Sequence, residues 1–124
     1  HMPLNEETHK CINGERIGMM KPTGILVNTA RGAIVDEEAL ADALEEGRIF
    51  GAGLDVYAVE PPTRSRLLKC GRTVTMPHVS SNTPGALLAM GNGVVDAIMA
   101  VFEGRRPEYC VNPEVYERPR GGGS

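Results

Sequence analysis

The amino-acid sequence predicts an α/β fold in which a small parallel sheet is doubly wound by helices. Three short apolar segments have the length of strands: Ile25–Asn28, residues 52–56 and residues 74–76. Patterns typical of helices separate them, and strands that alternate with helices indicate right-handed crossovers and a parallel sheet. Such a sheet buries both faces of its strands. Three strands make about half of a doubly wound domain, with a fourth only if residues 1–4 end another strand.

Capping residues mark the helix boundaries. Asn13 is placed to cap a short helix through about residue 20, and Asp36 to cap a second helix that ends at Gly47. Thr83 precedes Pro84, which takes the first position of the last and longest helix, where the missing N–H of proline costs nothing. The sequence therefore predicts three helices around the three strands.

The last helix carries an apolar stripe at helical spacing. Gly91 lies on this stripe and Gly93 close to it, and glycine inside a helix costs about 1 kcal/mol relative to alanine. We therefore expect another backbone to approach the helix closely at these glycines. The apolar positions of the stripe are Leu87, Leu88, Val94, Val95, Ile98, Met99 and Phe102.

Composition and charge argue against several classes of partner. The chain has 13 Lys and Arg against 16 Asp and Glu, a net charge of -3, which gives no reason to expect nucleic acid or an anionic membrane. No apolar run approaches the roughly 18–20 residues that span a bilayer, and no secretory signal is visible. Cys11, Cys70 and Cys110 form neither a disulfide framework nor a zinc pattern. We therefore predict no metal site and a reducing, cytoplasmic setting.

The composition divides the chain into three segments. Residues 1–104 hold the predicted strands and helices, and residues 105–119, with three prolines, form an extended tail. Residues 120–124 are glycine-rich and are typical of a flexible linker or tag remnant. The opening residues 1–2 fit either a cloning scar or the end of a strand.

Three chemically active side chains follow the ends of successive strands: Arg31, Glu60 and His78. In an open α/β sheet, ligands bind in the crevice outside the strand carboxyl ends. A guanidinium offers paired donors to a carboxylate, and a histidine can donate a proton to a carbonyl at neutral pH. The segment between Glu60 and His78 spans one turn and one strand, so a carboxylate–imidazole pair is possible. Each residue alone is more often a solvated or structural side chain, and the pattern leaves the pairing open.

Longer motifs surround these residues: LVNTARGAIVDEEAL at residues 26–40, GAGLDVYAVEPP at 51–62 and TMPHV at 75–79. In this order they resemble the family of D-isomer-specific 2-hydroxyacid dehydrogenases, and HMPLNEETHKCIN at residues 1–13 also fits that family. The resemblance covers about residues 1–113. It implies a partial Rossmann-like sheet, the C-terminal half of a dinucleotide-binding domain.

The resemblance also implies a role for each candidate residue. Arg31 would hold the substrate carboxylate, His78 would be the general acid in reduction and the base in oxidation, and Glu60 would orient His78. Asp55 matches the position that contacts the nicotinamide carboxamide. The resemblance implies that Arg31, Asp55 and His78 also contact the cofactor. The other cofactor-binding candidates are Pro3, Leu4, Thr29, Ala30 and Ser81.

Two parts of the family pattern are absent from this sequence. The family binds the cofactor pyrophosphate with a G-x-G-x-x-G loop after a strand, followed by an acidic residue for the ribose, and this chain has neither. Its nearest string, GNGVVD at residues 91–96, lacks the third glycine and lies inside the last predicted helix. The substrate domain is also missing, so the chain resembles the C-terminal portion of a longer enzyme. The implied cofactor is NAD, and NADP is not excluded.

By this resemblance, the function is hydride transfer between NAD(P)H and a small 2-keto or 2-hydroxy acid of D configuration, in a homodimer. Two other interpretations stay open. One is a non-catalytic, NAD-responsive binding or oligomerisation module, which the apolar stripe and an open sheet edge favour. The other is an inactive truncated fragment.

Overall fold

The computed structural model describes residues 2–117. It divides into two compact units, His1–Ser80 and Ser81–Ser124. The division falls inside the segment 1–104 that the composition sets apart, and the three-segment organisation stays a prediction. The predicted linker at residues 120–124 lies outside the described residues.

The first unit is built on a three-stranded parallel sheet with the strand order β1-β2-β3. Val27 of β1 lies opposite Gly53 of β2, and Gly53 lies opposite Val74 of β3. The predicted α/β class and parallel sheet are therefore confirmed. The strands are β1 (Ile25–Asn28), β2 (Gly51–Leu54) and β3 (Thr73–Thr75).

Two α-helices of this unit begin at the predicted caps. The Asn13 side chain accepts a hydrogen bond from the Arg16 N–H at the start of α1 (Gly14–Gly18). The Asp36 side chain accepts one from the Ala39 N–H at the start of α2 (Glu37–Glu45). Short 3₁₀ helices at Gly32–Ile34 and Arg66–Leu68 complete the unit.

The core lies on one face of the sheet. Ile17 of α1, Leu40 of α2 and Leu67 of the second 3₁₀ helix are buried in it with Ile49. On the other face, Ile25, Val27 and Val74 are 58%, 69% and 70% exposed. The prediction that both faces of the strands are buried is therefore wrong for the described residues. The reason is that α1 and α2 pack together against the same face.

The second unit contains α3 (Pro84–Phe102), a helix of 19 residues. The Thr83 side chain accepts a hydrogen bond from the Ala86 N–H, as its predicted capping role requires. Of the residues of α3, all of them described, only Ala100 is buried. A last 3₁₀ helix spans Pro113–Tyr116. Within this unit no atom outside the helix backbone comes within 4 Å of a Cβ built at Gly91 or Gly93. The described residues thus do not provide the predicted close contact.

By length and composition alone, α3 is long and apolar enough to cross a membrane. The prediction that no segment approaches the length needed to span a bilayer is therefore wrong for α3. The helix is interrupted by glycines, Asn92 and the single charged residue Asp96, but these leave its mean hydropathy high enough for a membrane-spanning helix. A helix that packs in a protein interface has the same properties, so the finding assigns no location.

Candidate active site

His78 and Glu60 form a hydrogen-bonded pair beyond the carboxyl ends of β3 and β2. The Nδ1 atom of His78 lies 2.9 Å from Oε2 of Glu60. The other carboxylate oxygen, Oε1, accepts the Tyr57 N–H at 3.1 Å. Both side chains are partly exposed, His78 by 45% and Glu60 by 39%. The structure thus brings together the two groups whose pairing the sequence left open, at a place that a ligand can reach.

The electrostatic setting favours an ionised Glu60. The hydrogen bond from His78, and after it the Tyr57 N–H, lower the pKa of the Glu60 carboxyl below its usual range. A carboxylate that accepts donors on both oxygens stays charged at neutral pH. It can therefore hold the Nδ1 side of the imidazole as a donor, which leaves Nε2 for a ligand.

His78 adopts a left-handed backbone conformation, with a φ of 57°. For a residue other than glycine this costs on the order of 1–3 kcal/mol, and such strain concentrates at functional sites. Asp55, which is 3% exposed, stabilises the turn because its two oxygens accept the N–H groups of Val79 (2.7 Å) and Ser80 (2.8 Å). The Ser80 hydroxyl and these two N–H groups lower the pKa of Asp55 against the effect of burial. Asp55 therefore fixes the His78 turn, a contact that the sequence did not reveal.

Arg31 lies in the turn after β1, and Asn28 organises that turn. The buried Asn28 side chain donates to the Arg31 carbonyl at 2.9 Å and accepts the Ala30 N–H at 3.1 Å. The exposed Arg31 guanidinium donates to the Ala30 carbonyl at 2.7 Å. A guanidinium has five N–H donors, so this bond leaves others for an anionic ligand. Sequence reasoning missed Asn28, although a polar residue at the end of an apolar strand is the signal for such a role.

Gly32 brings the Arg31 turn (residues 29–31) into contact with the Glu60 loop (residues 58–65). A Cβ atom built on Gly32 would lie 1.8 Å from the carbonyl carbon of Tyr57 and 2.3 Å from the nitrogen of Ala58. The two backbones therefore touch where any other residue would place a side chain. This contact sets Arg31 and Glu60 on adjacent turns of one packed unit, although no direct bond joins their side chains among the described residues.

An open cleft of about 440 Å³ runs along β1. Its lining is mainly apolar and includes two predicted cofactor-binding residues, Thr29 and Ala30, with Met2 and Asn28. Small side chains at positions 29 and 30 let a ligand approach the backbone. The cleft therefore combines the exposed backbone at Thr29 and Ala30 with an apolar surface beside β1.

Of the other predicted cofactor-binding residues, Pro3 and Leu4 belong to the first unit and Ser81 to the second. Pro3 and Leu4 belong to an exposed loop, in which the Pro3 carbonyl accepts the Thr8 hydroxyl at 2.7 Å. Ser81 begins the second unit, and its carbonyl accepts the Thr83 N–H. Their cofactor contacts stay predictions, as do the roles of Arg31, Asp55, Glu60 and His78. Within residues 2–117 no group of three or more His, Cys, Asp or Glu side chains is arranged to hold a metal.

A parallel sheet with an acid–base pair beyond its strand carboxyl ends is typical of the doubly wound, nucleotide-binding class of α/β proteins. Residues 1–80 match the family model described as "D-isomer specific 2-hydroxyacid dehydrogenase, NAD binding domain". The chain belongs to this family, and the resemblance seen in the sequence motifs is confirmed.

Several relatives of this chain are named as reductases of glyoxylate or hydroxypyruvate. Glyoxylate/hydroxypyruvate reductase B of Pectobacterium carotovorum subsp. carotovorum (strain PC1) is 46% identical over 115 residues, which cover 92% of this chain and 36% of that protein. A crystal structure of a protein from Thermus thermophilus has a TM-score of 0.82 at 46% identity, and the match covers 90% of this chain and 36% of that one.

A third relative was solved with ligands. The NADPH-dependent glyoxylate/hydroxypyruvate reductase of Sinorhizobium meliloti, in complex with NADP and malonate, has a TM-score of 0.76 at 40% identity. The match covers 82% of this chain and 32% of that one. The chain therefore spans about a third of the length of the relatives that it matches.

Proposed function

We propose that this chain supplies the acid–base pair and the nicotinamide side of the site in an NAD(P)-dependent dehydrogenase of D-2-hydroxy acids. The observation that carries the proposal is the hydrogen bond of 2.9 Å between His78 and Glu60, with the Arg31 turn packed against the Glu60 loop through Gly32. Family membership supports the same conclusion.

Each of the three side chains has a distinct task in this proposal. Arg31 binds the carboxylate of the 2-keto acid, because its planar guanidinium pairs two donors with two oxygens. His78 donates a proton from Nε2 to the keto oxygen during reduction and takes it back during oxidation. Glu60 accepts a hydrogen bond from Nδ1–H of His78, which holds the ring in place.

The described residues fit one end of the dinucleotide. NAD(P)H supplies the hydride of the reaction when it is bound. The cleft with Thr29 and Ala30 has the size and apolar lining for the nicotinamide end. The sequence has no glycine-rich loop for the pyrophosphate, so the adenosine half of the cofactor needs contacts from outside this chain. We propose NAD or NADP as the cofactor, since relatives use either.

Small 2-keto acids are the proposed substrates, and glyoxylate and hydroxypyruvate are the first to test because related reductases are named for them. The test is a chimeric enzyme in which this chain replaces the matching segment of the Pectobacterium reductase, hereafter the chimera. We expect the chimera to oxidise NADH or NADPH with glyoxylate, because the imported segment brings the complete Arg31, Glu60 and His78 set. Loss of the nicotinamide absorbance measures the rate.

The Arg31→Ala chimera is the matched variant in this experiment. Loss of the paired donors is expected to raise the KM for glyoxylate about a hundredfold or more, since hydrogen bonds to charged groups contribute about 1.5–3 kcal/mol each. A cooperative thermal unfolding transition in both proteins shows that each is folded, and calorimetry measures their binding of NADH. A folded chimera that binds NADH and has no turnover, or an Arg31→Ala variant with an unchanged KM, contradicts the proposal.

We also propose that the protein assembles as a homodimer in the cytoplasm, without a nucleic-acid or membrane partner. The support is the exposed apolar surface of α3, where Leu88 is 66% and Val94 59% exposed, because large apolar patches mark interaction surfaces. Three free cysteines, Cys11, Cys70 and Cys110, fit a reducing compartment.

Light scattering tests the homodimer. Without detergent, the chain is expected to have twice its monomer mass of 13.3 kDa, and Leu88→Glu is expected to return it to a monomer because a charge would be buried in the contact. Lys69→Glu is the control, since this exposed residue belongs to the first unit and not to α3. A monomeric wild-type chain, or recovery only in detergent, would count against the dimer.

A further inference from the structure

Glu37, the first residue of α2, forms a bridge between both ends of the Glu60 loop. Its Oε1 atom accepts the Ala58 N–H at 2.6 Å, and its Oε2 atom accepts the Ser65 hydroxyl at 3.2 Å. These partners lie 21 and 28 residues further along the chain. One carboxylate therefore binds the loop by hydrogen bonds on both sides of Glu60.

Other contacts hold the loop mainly at its two ends, through Gly32 and the Tyr57 N–H on one side and the ion pairs of Arg66 with α2 on the other. Ala58, Val59 and Glu60 are exposed, with Val59 at 75%, and the bonds at Thr63 and Ser65 N–H go to carbonyls within the loop. Among residues 2–117, the side chains that bond to residues 58–65 from distant parts of the chain are Glu37 and His78. Since the His78 bond is the one that the proposed chemistry uses, Glu37 is the independent anchor.

We propose that Glu37 is a positioning residue that keeps the Glu60 carboxylate within hydrogen-bonding distance of His78 Nδ1. The anchor lies next to the contact between Gly32 and the Tyr57–Ala58 peptide, so the loop is fixed at the same point from two sides. The effect of Glu37 on turnover rests on the proposed function, whereas its effect on the Glu60 and His78 geometry does not.

A simpler role for Glu37 is that of an acidic residue in the first turn of a helix, where a negative charge interacts favourably with the helix dipole. Glu38 is the matched control for that role because it is the next residue of the same turn. Its carboxylate is exposed and pairs with Arg66 instead of the loop. A dipole effect would be common to both glutamates, whereas an anchoring effect would belong to Glu37 alone.

The readout is the titration of the Glu60 carboxyl carbon by NMR in the 124-residue chain, with the signal assigned by its loss in Glu60→Gln. The wild-type pKa of Glu60 is lowered by the His78 hydrogen bond and the Tyr57 N–H. In Glu37→Ala the loop loses its anchor, and we expect the Glu60 pKa to rise toward the ordinary glutamate value. Removing a nearby negative charge would by itself lower that pKa, so the direction of the shift separates the two causes.

Glu37→Gln and Glu38→Ala complete the series. The glutamine keeps an oxygen acceptor for the Ala58 N–H, so the Glu60 pKa is expected to stay lowered, as it is expected to do in Glu38→Ala. Hydrogen exchange of the Ala58 amide gives a second measurement, and we expect it to quicken about tenfold or more in Glu37→Ala. If Glu37→Ala does not fold, Ser65→Ala removes one of the two bonds and is expected to shift both readouts in the same direction by less.

Either of two outcomes overturns the proposal. One is a folded Glu37→Ala chain with the wild-type Glu60 pKa and Ala58 exchange rate. The other is an equal change in Glu37→Ala and Glu38→Ala. Neither readout involves turnover, so a positive result here together with an inactive chimera would reject the proposed function and leave the positioning role in place.

Discussion

Replacing His78 by alanine in the chimera is expected to lower kcat by about 10²–10⁴-fold, which is the usual contribution of a general acid. The Nδ1 atom of the imidazole is held by Glu60 at 2.9 Å, and alanine leaves no group that can protonate the keto oxygen from that position. Because the side chain is 45% exposed, its removal opens no cavity in the core. Steady-state kinetics with glyoxylate measures the loss of kcat, and a thermal unfolding transition shows that the variant is folded.

His9→Ala is the control for the loss of a histidine. His9 lies in the exposed loop that follows Leu4, and its side chain has no part in the proposed chemistry. We expect its kcat to stay within about twofold of the unmodified chimera, since exposed substitutions away from such features have small effects. A general acid usually contributes more than tenfold to the rate. If kcat of His78→Ala is within about tenfold of the unmodified chimera, another group supplies the proton.

Local sequence signals predicted the helix starts of both units and the sheet of the first unit correctly. Asn13, Asp36 and Thr83 cap their helices as expected, because a capping side chain bonds to a backbone N–H only a few residues away. Alternation of strands and helices was sufficient for the parallel sheet. The exposed sheet face was not predictable in this way, since it depends on which elements pack against the strands and not on the strands themselves.

The site shows the same division between local and distant contacts. The side chains of Glu60 and His78 were singled out because they follow the ends of two strands, and the family resemblance then implied that they act as a pair. Glu37 was missed, since the bonds that matter join it to residues 21 and 28 positions away. A glutamate in the first turn of a helix already has a sufficient local explanation. Only the folded chain shows that its carboxylate faces the loop.

Gly32→Ala is the substitution with the largest expected effect on stability. A methyl group at this position would lie 1.8 Å from the Tyr57 carbonyl carbon and 2.2 Å from its oxygen, and backbone atoms cannot move aside as a flexible side chain can. We expect the free energy of unfolding to fall by at least about 3 kcal/mol, the upper end of the usual cost of overpacking. Urea unfolding of the 124-residue chain, followed by circular dichroism, measures the change.

Gly18→Ala separates this contact from a general effect of replacing glycine. A Cβ on Gly18, the last residue of α1, meets no atom within 4 Å beyond its chain neighbours and the backbone of its own helix. The free energy of unfolding of Gly18→Ala is therefore expected to change by less than about 1 kcal/mol. Equal unfolding midpoints for Gly32→Ala and the wild-type chain would mean that the Arg31 turn and the Glu60 loop are not in contact in solution. Because that contact sets the Arg31 turn beside the Glu60 loop, such a result would also remove the geometric basis for assigning Arg31, Glu60 and His78 to one site.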